Sequence, residues 1–402
     1  INEKMKLFYS ALVWLTFCVP TFSDAQQTQK AANVLPKWYD KISLRGYAQV
    51  RYNRLFETNP NLKCDQCDRS LGDNGGFFIR RGRLILSGNV SDRLYIYIQP
   101  DFASNPSSTF QHSLQIRDAY FDLALDKDKE YRLRFGQSKI PYGFENMQSS
   151  QNRIALDRND ALNSAVANER DLGVVFYWAP KEIRERFAYL VSSGLKGSGD
   201  YGVFGAGLYN GQTANNQEQN NNLHKVLRVT YPFKIPSGQI IETSLQAYQG
   251  EFMVHVNAKN EVVNRNFTDE RVAGTLVIYP QPLGLQAEYN VGNGPAFDPE
   301  LMRTTSQRLK GGYVQTMYRL KLENKEVIPF VKYQFYDGGK KFEIDARSYR
   351  VRDLEIGVEY QLSNYFELVA LYMISDRTFE DYARPDNRQK GRTLRLQTQF
   401  NF

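Results

Sequence analysis

The chain has 402 residues, 42% hydrophobic, 24% charged and 13% aromatic, and 51 Lys and Arg against 44 Asp and Glu give a net charge of +7. Its longest strongly apolar run, Ala11 to Val19, is far short of the ~20 residues a bilayer-crossing helix needs, three Cys exclude a disulfide-dense scaffold, and 28 Gly with 15 Pro exclude collagenous or low-complexity classes. The 26 Tyr and 25 Phe favour strands, whereas +7 alone does not choose between nucleic acid, an acidic surface and an anionic solute.

Met5 and Lys6 lead into an apolar stretch, Leu7 to Val19, which is followed by Ser23-Asp24-Ala25 with small residues at the −3 and −1 positions. This pattern predicts a secretory signal peptide, residues 1–25, cleaved after Ala25. Cys18 then belongs to the apolar core of the discarded peptide. Residues 26–41 read as a short periplasmic segment, and 42–402 as a single domain.

From Ile42 the chain breaks into runs of about ten residues that alternate apolar and polar, the period of a strand. Sixteen such runs fall near 42–52, 77–89, 93–103, 114–124, 131–139, 170–179, 202–211, 224–233, 240–251, 269–280, 284–292, 311–322, 327–337, 350–362, 365–375 and 391–402. In the last, Leu394, Leu396, Thr398, Phe400 and Phe402 share one face. In another, Leu285, Ala287, Tyr289 and Val291 oppose Gln286, Glu288 and Asn290.

Short connections such as Val90-Ser91-Asp92 and Ser363-Asn364 alternate with long ones at 53–76, 104–113, 140–169, 212–223, 252–268, 293–310, 338–349 and 376–390. Short turns on one side and long loops on the other predict an all-β fold: a transmembrane antiparallel β-barrel in a Gram-negative outer membrane. Pro180 to Asp200 resists this scheme. Counting it as a strand would give an odd number, so it reads as a long periplasmic connection with a helical piece at Ile183 to Tyr189. A soluble β-sandwich also alternates, but the completeness of the apolar faces and the aromatics at run ends favour the barrel. The terminal Phe402, with Phe400 two residues before it, resembles the recognition signal of the outer-membrane assembly machinery.

Backbone amides in hydrocarbon must all be paired, so a spanning sheet has to close on itself. Barrels of 16–18 strands leave an aqueous lumen, and residues 26–41 are too few for a separate plug domain. The polar faces carry many arginines. Arg81 and Arg83 share a face with Ile79; Arg132 and Arg134 oppose Tyr131, Leu133 and Phe135. Arg45, Arg51, Arg228, Arg319, Lys332 and Arg395 also fall on polar faces. Rings of Arg or Lys favour anions, and a guanidinium grips phosphate or carboxylate bidentately. The plain alternative is a solvated set of lumen charges balanced by Asp101, Asp118, Asp122, Glu288 and Glu359.

The stretch RLRFGQSKIPYGFENMQSS (Arg132 to Ser150) resembles the phosphate-selective porin O and P family, in which a strand ending in Gly-Gln-x-Lys-x-Pro-x-Gly-x-Glu leads into a long loop. Those positions are Gly136, Gln137, Lys139, Pro141, Gly143 and Glu145. Phe77 to Ala103, Leu114 to Leu125, Asn168 to Phe176 and Leu208 to Asn216 match as well. The resemblance implies a sixteen-stranded homotrimeric porin with its third long loop folded into the lumen, passing small anions such as phosphate. It also implies that Arg81, Arg83, Arg134 and Lys139, with Arg132 beside them and Arg153 and Arg158 from the loop, carry anion selectivity. One departure from the family is that no loop near the constriction holds several lysines; Lys340-Lys341 is the nearest approach.

Other readings are a general or saccharide-passing porin, a loop-based adhesin or receptor barrel, and a barrel-embedded hydrolase. No cofactor or metal is implied. Cys64-Asp65-Gln66-Cys67 in the first long loop reads as a local disulfide rather than half a zinc site. His112, His224 and His255 have no nucleophile elbow near them. Gly292 to Pro295 (GNGP) reads as a turn. The lumen arginines lack the aromatic interleaving of a single-strand groove, which argues against nucleic acid. The expected partners are small anions, outer-membrane lipids and the assembly machinery.

Overall fold

A computed structural model describes residues 37–62, 76–102, 113–258 and 261–402. The proposed leader and the Cys64–Cys67 pair lie outside these residues. Two compact units are distinguished, Ile1–Asp40 and Lys41–Phe402. Of the first, only 37–40 is described, and a 3-10 turn begins there at Trp38 (Trp38–Lys41).

The second unit is a closed antiparallel barrel. Its first half comprises β1 (Ile42–Leu55), β2 (Phe78–Asn89), β3 (Leu94–Asp101), β4 (Gln115–Ala124), β5 (Tyr131–Lys139), β6 (Arg170–Trp178), β7 (Phe204–Tyr209) and β8 (His224–Lys234). The second half comprises β9 (Ile240–Ala258), β10 (Glu261–Ile278), β11 (Leu283–Asp298), β12, β13 (Lys325–Gly339), β14 (Ser348–Ser363), β15 (Phe366–Glu380) and β16 (Arg388–Asn401). Strand β12 runs from Arg303 to Tyr318, breaks at Arg319 and resumes as Leu320–Leu322, both pieces pairing with β13. The wall therefore has sixteen strands. Closure is made by β1, which pairs with β2 on one side and β16 on the other. The Gly46 and Phe402 backbones exchange hydrogen bonds at that seam, at 2.7 and 3.0 Å.

The alternation read from the sequence sets which face meets lipid. Leu245, Leu283, Val314 and Ile356 are 67%, 61%, 50% and 47% exposed on the outer wall. In water that apolar area would oppose folding at about 25 cal/mol per Å², whereas hydrocarbon accepts it. Tyr131 stacks on Trp178, and Tyr231, Phe233, Tyr318, Tyr365 and Phe400 are exposed towards the same, short-turn end. This is one girdle of an outer-membrane barrel.

Several expectations need correction. The predicted long loops 252–268 and 293–310 are mostly strand. β9 pairs with β10 up to Ala258 and Glu261, and β11 with β12 up to Asp298 and Arg303. GNGP lies inside β11, because Gly292 to Pro295 pair in register with Leu309 to Ser306. Ile79 does not share a face with Arg81: the β1–β2 register shifts there, leaving Ile79 exposed while Arg81 is buried. The inner wall is also less polar than expected. In β15, Val369, Leu371 and Met373 point inward and pack on Ile154, Ala155 and Leu156 of the loop 140–169.

Two insertions enter the lumen. One is the loop 140–169, which carries the short helices α1 (Phe144–Met147) and α2 (Asp160–Asn163). The other is the segment after β6, whose helix α3 (Lys181–Ser192) follows Pro180 and ends before Gly194, whose φ is +71°. Ile183, Phe187 and Leu190 lie at helical spacing on its buried side. They pack on Ile240, Val277 and Tyr279 of the barrel and on Phe144 of the loop. The segment 180–200 is thus a helix rooted inside the short-turn mouth.

Closure at the seam depends on a missing side chain. A Cβ on Gly46 would lie 2.5 Å from the Arg83 carbonyl oxygen and 2.6 Å from the Phe402 ring. Gly46→Val should therefore cost about 1–3 kcal/mol through overpacking. In refolding assays read by heat-modifiable gel mobility, it should cut the folded fraction several-fold, while Ala48→Val on the same outer face should not.

Candidate functional site

The loop 140–169 is held by its motif residues. Gln137 donates through its side-chain amide to the Ile116 and Arg117 carbonyls, tying the β5 end to β4. Lys139 Nζ donates to the Met147 and Gln148 carbonyls, at 2.6 and 2.8 Å, and so fastens the loop to its own stem. Pro141 leads to Gly143, whose φ of +84° a side chain would strain. The Gly143 amide donates to the Gln246 side chain, and the next two amides donate to Glu288. Glu145 accepts from the Asn159 amide and from Lys332 Nζ, at 2.6 and 2.5 Å. The Gly-Gln-x-Lys-x-Pro-x-Gly-x-Glu pattern is therefore an anchoring device between the loop and the β9–β13 wall.

Further ion pairs complete the anchor. Asp157 meets Arg51 and Arg395; Asp160 meets Arg377 and Lys340; Lys341 meets Asp269 at 2.7 Å. The Lys340-Lys341 pair is buried and engaged, so it is no open phosphate site. Burial acts to raise the carboxyl groups of Glu145, Asp157 and Asp160. The cations beside them more than offset this, and all three are held below the usual carboxylate range.

The remaining cations divide into braces and lining. Arg153 donates to the Ala155 and Leu156 carbonyls, and Arg158 to those of Glu145 and Gln148 and to Glu169, so both brace the loop. Arg83 pairs with Asp101 at 2.7 Å and donates to the Tyr47 hydroxyl. Arg81 donates to Gln49 and sits among the guanidinium groups of Arg80, Arg83, Arg51 and Arg153. Arg134 is gripped bidentately by Asp122 at 2.7 and 2.8 Å and lies 3.9 Å from the Tyr120 ring centre, with Tyr177 and Tyr201 at 5.2 and 5.7 Å. Arg132 pairs with Asp200 at 2.8 Å.

Open space runs along the wall from β1 to β6, opposite the anchored side. One cavity of about 280 Å³ is lined by Arg45, Tyr97, Asp118, Arg134, Lys139 and Arg170, among others. Towards the short-turn end, a second of about 410 Å³ is lined by Arg93, Lys129, Arg132, Arg134, Arg184 and Asp200. They share Tyr120, Arg134 and Asp200. A third, about 270 Å³, joins the first through Arg45, Gln151 and Asn152 and reaches Phe402. Across the first two, eight cationic side chains face three carboxylates, Asp118, Asp122 and Asp200. Among the described residues, Arg45 and Arg93 have no carboxylate partner.

Of the residues expected to bind anions, Arg132, Arg134 and Lys139 line this space, whereas Arg81, Arg83, Arg153 and Arg158 are buried in hydrogen bonds and ion pairs and line none of these three cavities. Sequence reasoning missed Arg93, Lys129, Arg170 and Arg184. Arg184 sits on α3, which only its amphipathic spacing could have turned inward. Arg170 lies in the matched stretch 168–176 and pairs with Asp118 and Glu169, each at 2.9 Å. Of the histidines, His224 is buried against Tyr248 with Nε2 3.0 Å from the Glu251 carbonyl oxygen, and His255 contacts Asn264. His112 lies outside the described residues.

The sequence model of the family described as phosphate-selective porin O and P matches residues 61–402. No curated protein matches the chain. Among solved structures, the outer-membrane channel DcaP of Acinetobacter baumannii superposes with a TM-score of 0.53 at 15% identity, covering 90% of this chain and 97% of its own. An anion-selective porin from Comamonas acidovorans gives 0.52 at 10% identity, covering 90% and 99%. The trimer form of OmpT from Vibrio cholerae gives 0.53 at 11%, covering 90% and 100%.

The depressed loop carboxylates carry a pH signature. Their ion pairs stabilise the anchored loop fully above about pH 4–5, where an unfolded-state carboxylate is ionised, and are lost only as pH falls through their lowered values. Single-channel conductance in planar bilayers should therefore stay level from pH 7 to 5. A step change marking loop release should appear only below about pH 4, and one already present at pH 6 would contradict the anchoring role.

Proposed function

Because the chain belongs to the phosphate-selective porin O and P family and forms an outer-membrane β-barrel channel, we propose that it passes small anionic solutes by diffusion, with inorganic phosphate as the leading candidate. One observation carries this reading: the eight cations facing three carboxylates along the open side of the lumen, converging on Arg134. An excess of fixed positive charge in a low-dielectric cleft raises the local anion concentration. Arg134, held by Asp122, keeps one edge of its guanidinium towards the cavity, and Arg132 and Lys129 continue the path. Together they replace part of an ion's hydration shell, while Asp118, Asp122 and Asp200 keep binding weak enough for release. The anion-selective porin of the same fold supports the reading. The stacked Tyr97–Tyr120 pair beside the same cavity, with ring centres 5.2 Å apart, favours a second reading, passage of a saccharide.

Residues 1–25 then act as the export signal, and the terminal Phe400 and Phe402 as the signal to the assembly machinery. A homotrimer is the assembly supported by the trimeric neighbour and by the outer faces of β2–β7. These carry Leu86, Ile98, Phe121, Leu133, Val174 and Leu208 and no charged side chain. Phe135→Arg on that face should release monomers in native mass spectrometry. Val331→Arg, on β13, bears a comparable lipid-face cost of about 2–4 kcal/mol and should leave trimers intact.

Reversal potentials in a KCl gradient across planar bilayers test selectivity. The wild type should favour chloride, and phosphate should compete with it. Arg132→Gln combined with Arg134→Gln should lower the anion preference several-fold, whereas Arg83→Gln should weaken folding and leave selectivity nearly unchanged. A wild-type channel that favours cations would overturn the proposal.

A further inference from the structure

The outer wall is electrostatically lopsided. While β2–β7 are uncharged outside, the extracellular halves of β12–β16 carry a basic patch above the apolar belt. Lys310, Asp337 and Arg350 are neighbours in register across β12, β13 and β14. Arg352, Asp376 and Lys390 are neighbours across β14, β15 and β16. Asp337 is shared by Arg352 at 2.9 Å and Arg350 at 3.9 Å; Asp376 is shared by Arg388 at 2.7 Å and Lys390 at 3.1 Å. Two carboxylates thus serve four cations, and Glu380 stands near Arg350. Lys310 and Arg392 are exposed and have no carboxylate partner among the described residues. By contrast, the neighbouring extracellular face of β9–β11 presents Glu251, Glu270 and Asn293, so the basic character is local.

Depth is fixed by the pleat. Two residues below Arg352 is Leu354, and two below Arg392 is Leu394; from Asp376 the same step reaches Ile374. Two residues of strand span about 7 Å, so Arg352 and Arg392 stand directly over the edge of the lipid-facing belt, with Arg350 and Lys390 one further step out along their strands and Arg388 two. The Arg350, Arg388 and Lys390 side chains are 75%, 57% and 63% exposed, so a membrane ligand can reach them even though Arg388 and Lys390 share Asp376. Such a pattern offers bidentate guanidinium donors to phosphate, at the depth where a phosphorylated head group lies.

We propose that this patch binds the phosphate groups of phosphorylated glycolipid in the outer leaflet, seating the barrel through β12–β16. None of these side chains faces the lumen, so this site is separate from permeation. The test uses folded full-length protein in neutral detergent. Its probes are bisphosphorylated lipid A and the same lipid stripped of both phosphates, read by native mass spectrometry. Wild type should prefer the phosphorylated form at least ten-fold. Arg350→Gln, Arg388→Gln and Lys390→Gln together should abolish that preference while leaving the bilayer reversal potential unchanged. Should the triple variant fold poorly, the wild type still decides: raising salt should erode its preference steeply. Equal binding of the two lipids by wild type, a preference insensitive to salt, or full retention in the folded triple variant would overturn the proposal.

Discussion

Backbone amides that cross hydrocarbon have no water to bond, and each one left unpaired would cost several kcal/mol. Every strand must therefore find two neighbours, and the sheet can end only by meeting itself. In this chain β1 pays that condition twice, pairing with β2 and β16, with Gly46 and Phe402 exchanging bonds at the join. The break at Arg319 is tolerated because both pieces of β12 remain on β13. Closure at sixteen strands has a consequence for the interior: the ring encloses more space than its own side chains fill. What occupies that space decides what the barrel does.

Here the space is divided. The loop 140–169 is held to β1 and to the β9–β16 side by buried ion pairs, and by apolar packing that brings Leu371 and Leu156 into one cluster. Buried ion pairs are poor sources of net stability, since desolving two charges nearly cancels their attraction. Their value here is positional. Removing one partner strands the other in a dry environment, so the loop has one register that satisfies Glu145, Asp157 and Asp160 at once and few that satisfy two. The segment carrying α3 meets the loop from below, with the Gln148 side chain donating to the Lys196 carbonyl at 2.6 Å and Lys196 paired to Glu359. Water-accessible space is thereby displaced to the β1–β6 wall.

The strands were legible because alternation is a direct record of a wall with lipid on one side and water on the other; Arg392 to Phe402 shows it residue by residue. Where that premise fails, the reading fails. Residues 252–268 and 293–310 project beyond the membrane as hairpins, with no lipid face to enforce a clean period. Ile79 was misplaced because one extra residue in a strand inverts the face of everything beyond it. The continuous apolar run Leu368 to Met373 did hold a signal: a strand apolar on both faces has protein inside as well as lipid outside. In the loop, the motif's spacing could not distinguish a lysine that holds solute from one that holds the Met147 carbonyl. That distinction needs the third dimension.

The same distinction explains the net charge. Cations in this protein fall into three environments that composition cannot separate. Arg51, Arg377 and Lys332 are spent on carboxylates inside the fold and contribute nothing to the field of the lumen. Among the described residues, Arg45, Arg93 and Lys129 line the open space without a carboxylate partner, where each adds to the potential that a passing ion meets. Arg350, Arg388 and Lys390 stand on the outer wall beyond the lipid-facing belt, where an ion in the lumen is screened from them by the wall and the intervening water. A modest excess of seven positive charges is then not a diluted property of the whole chain. Among the described residues, some of the cations left over from internal pairing line the open side of the lumen and others stand on the outer wall.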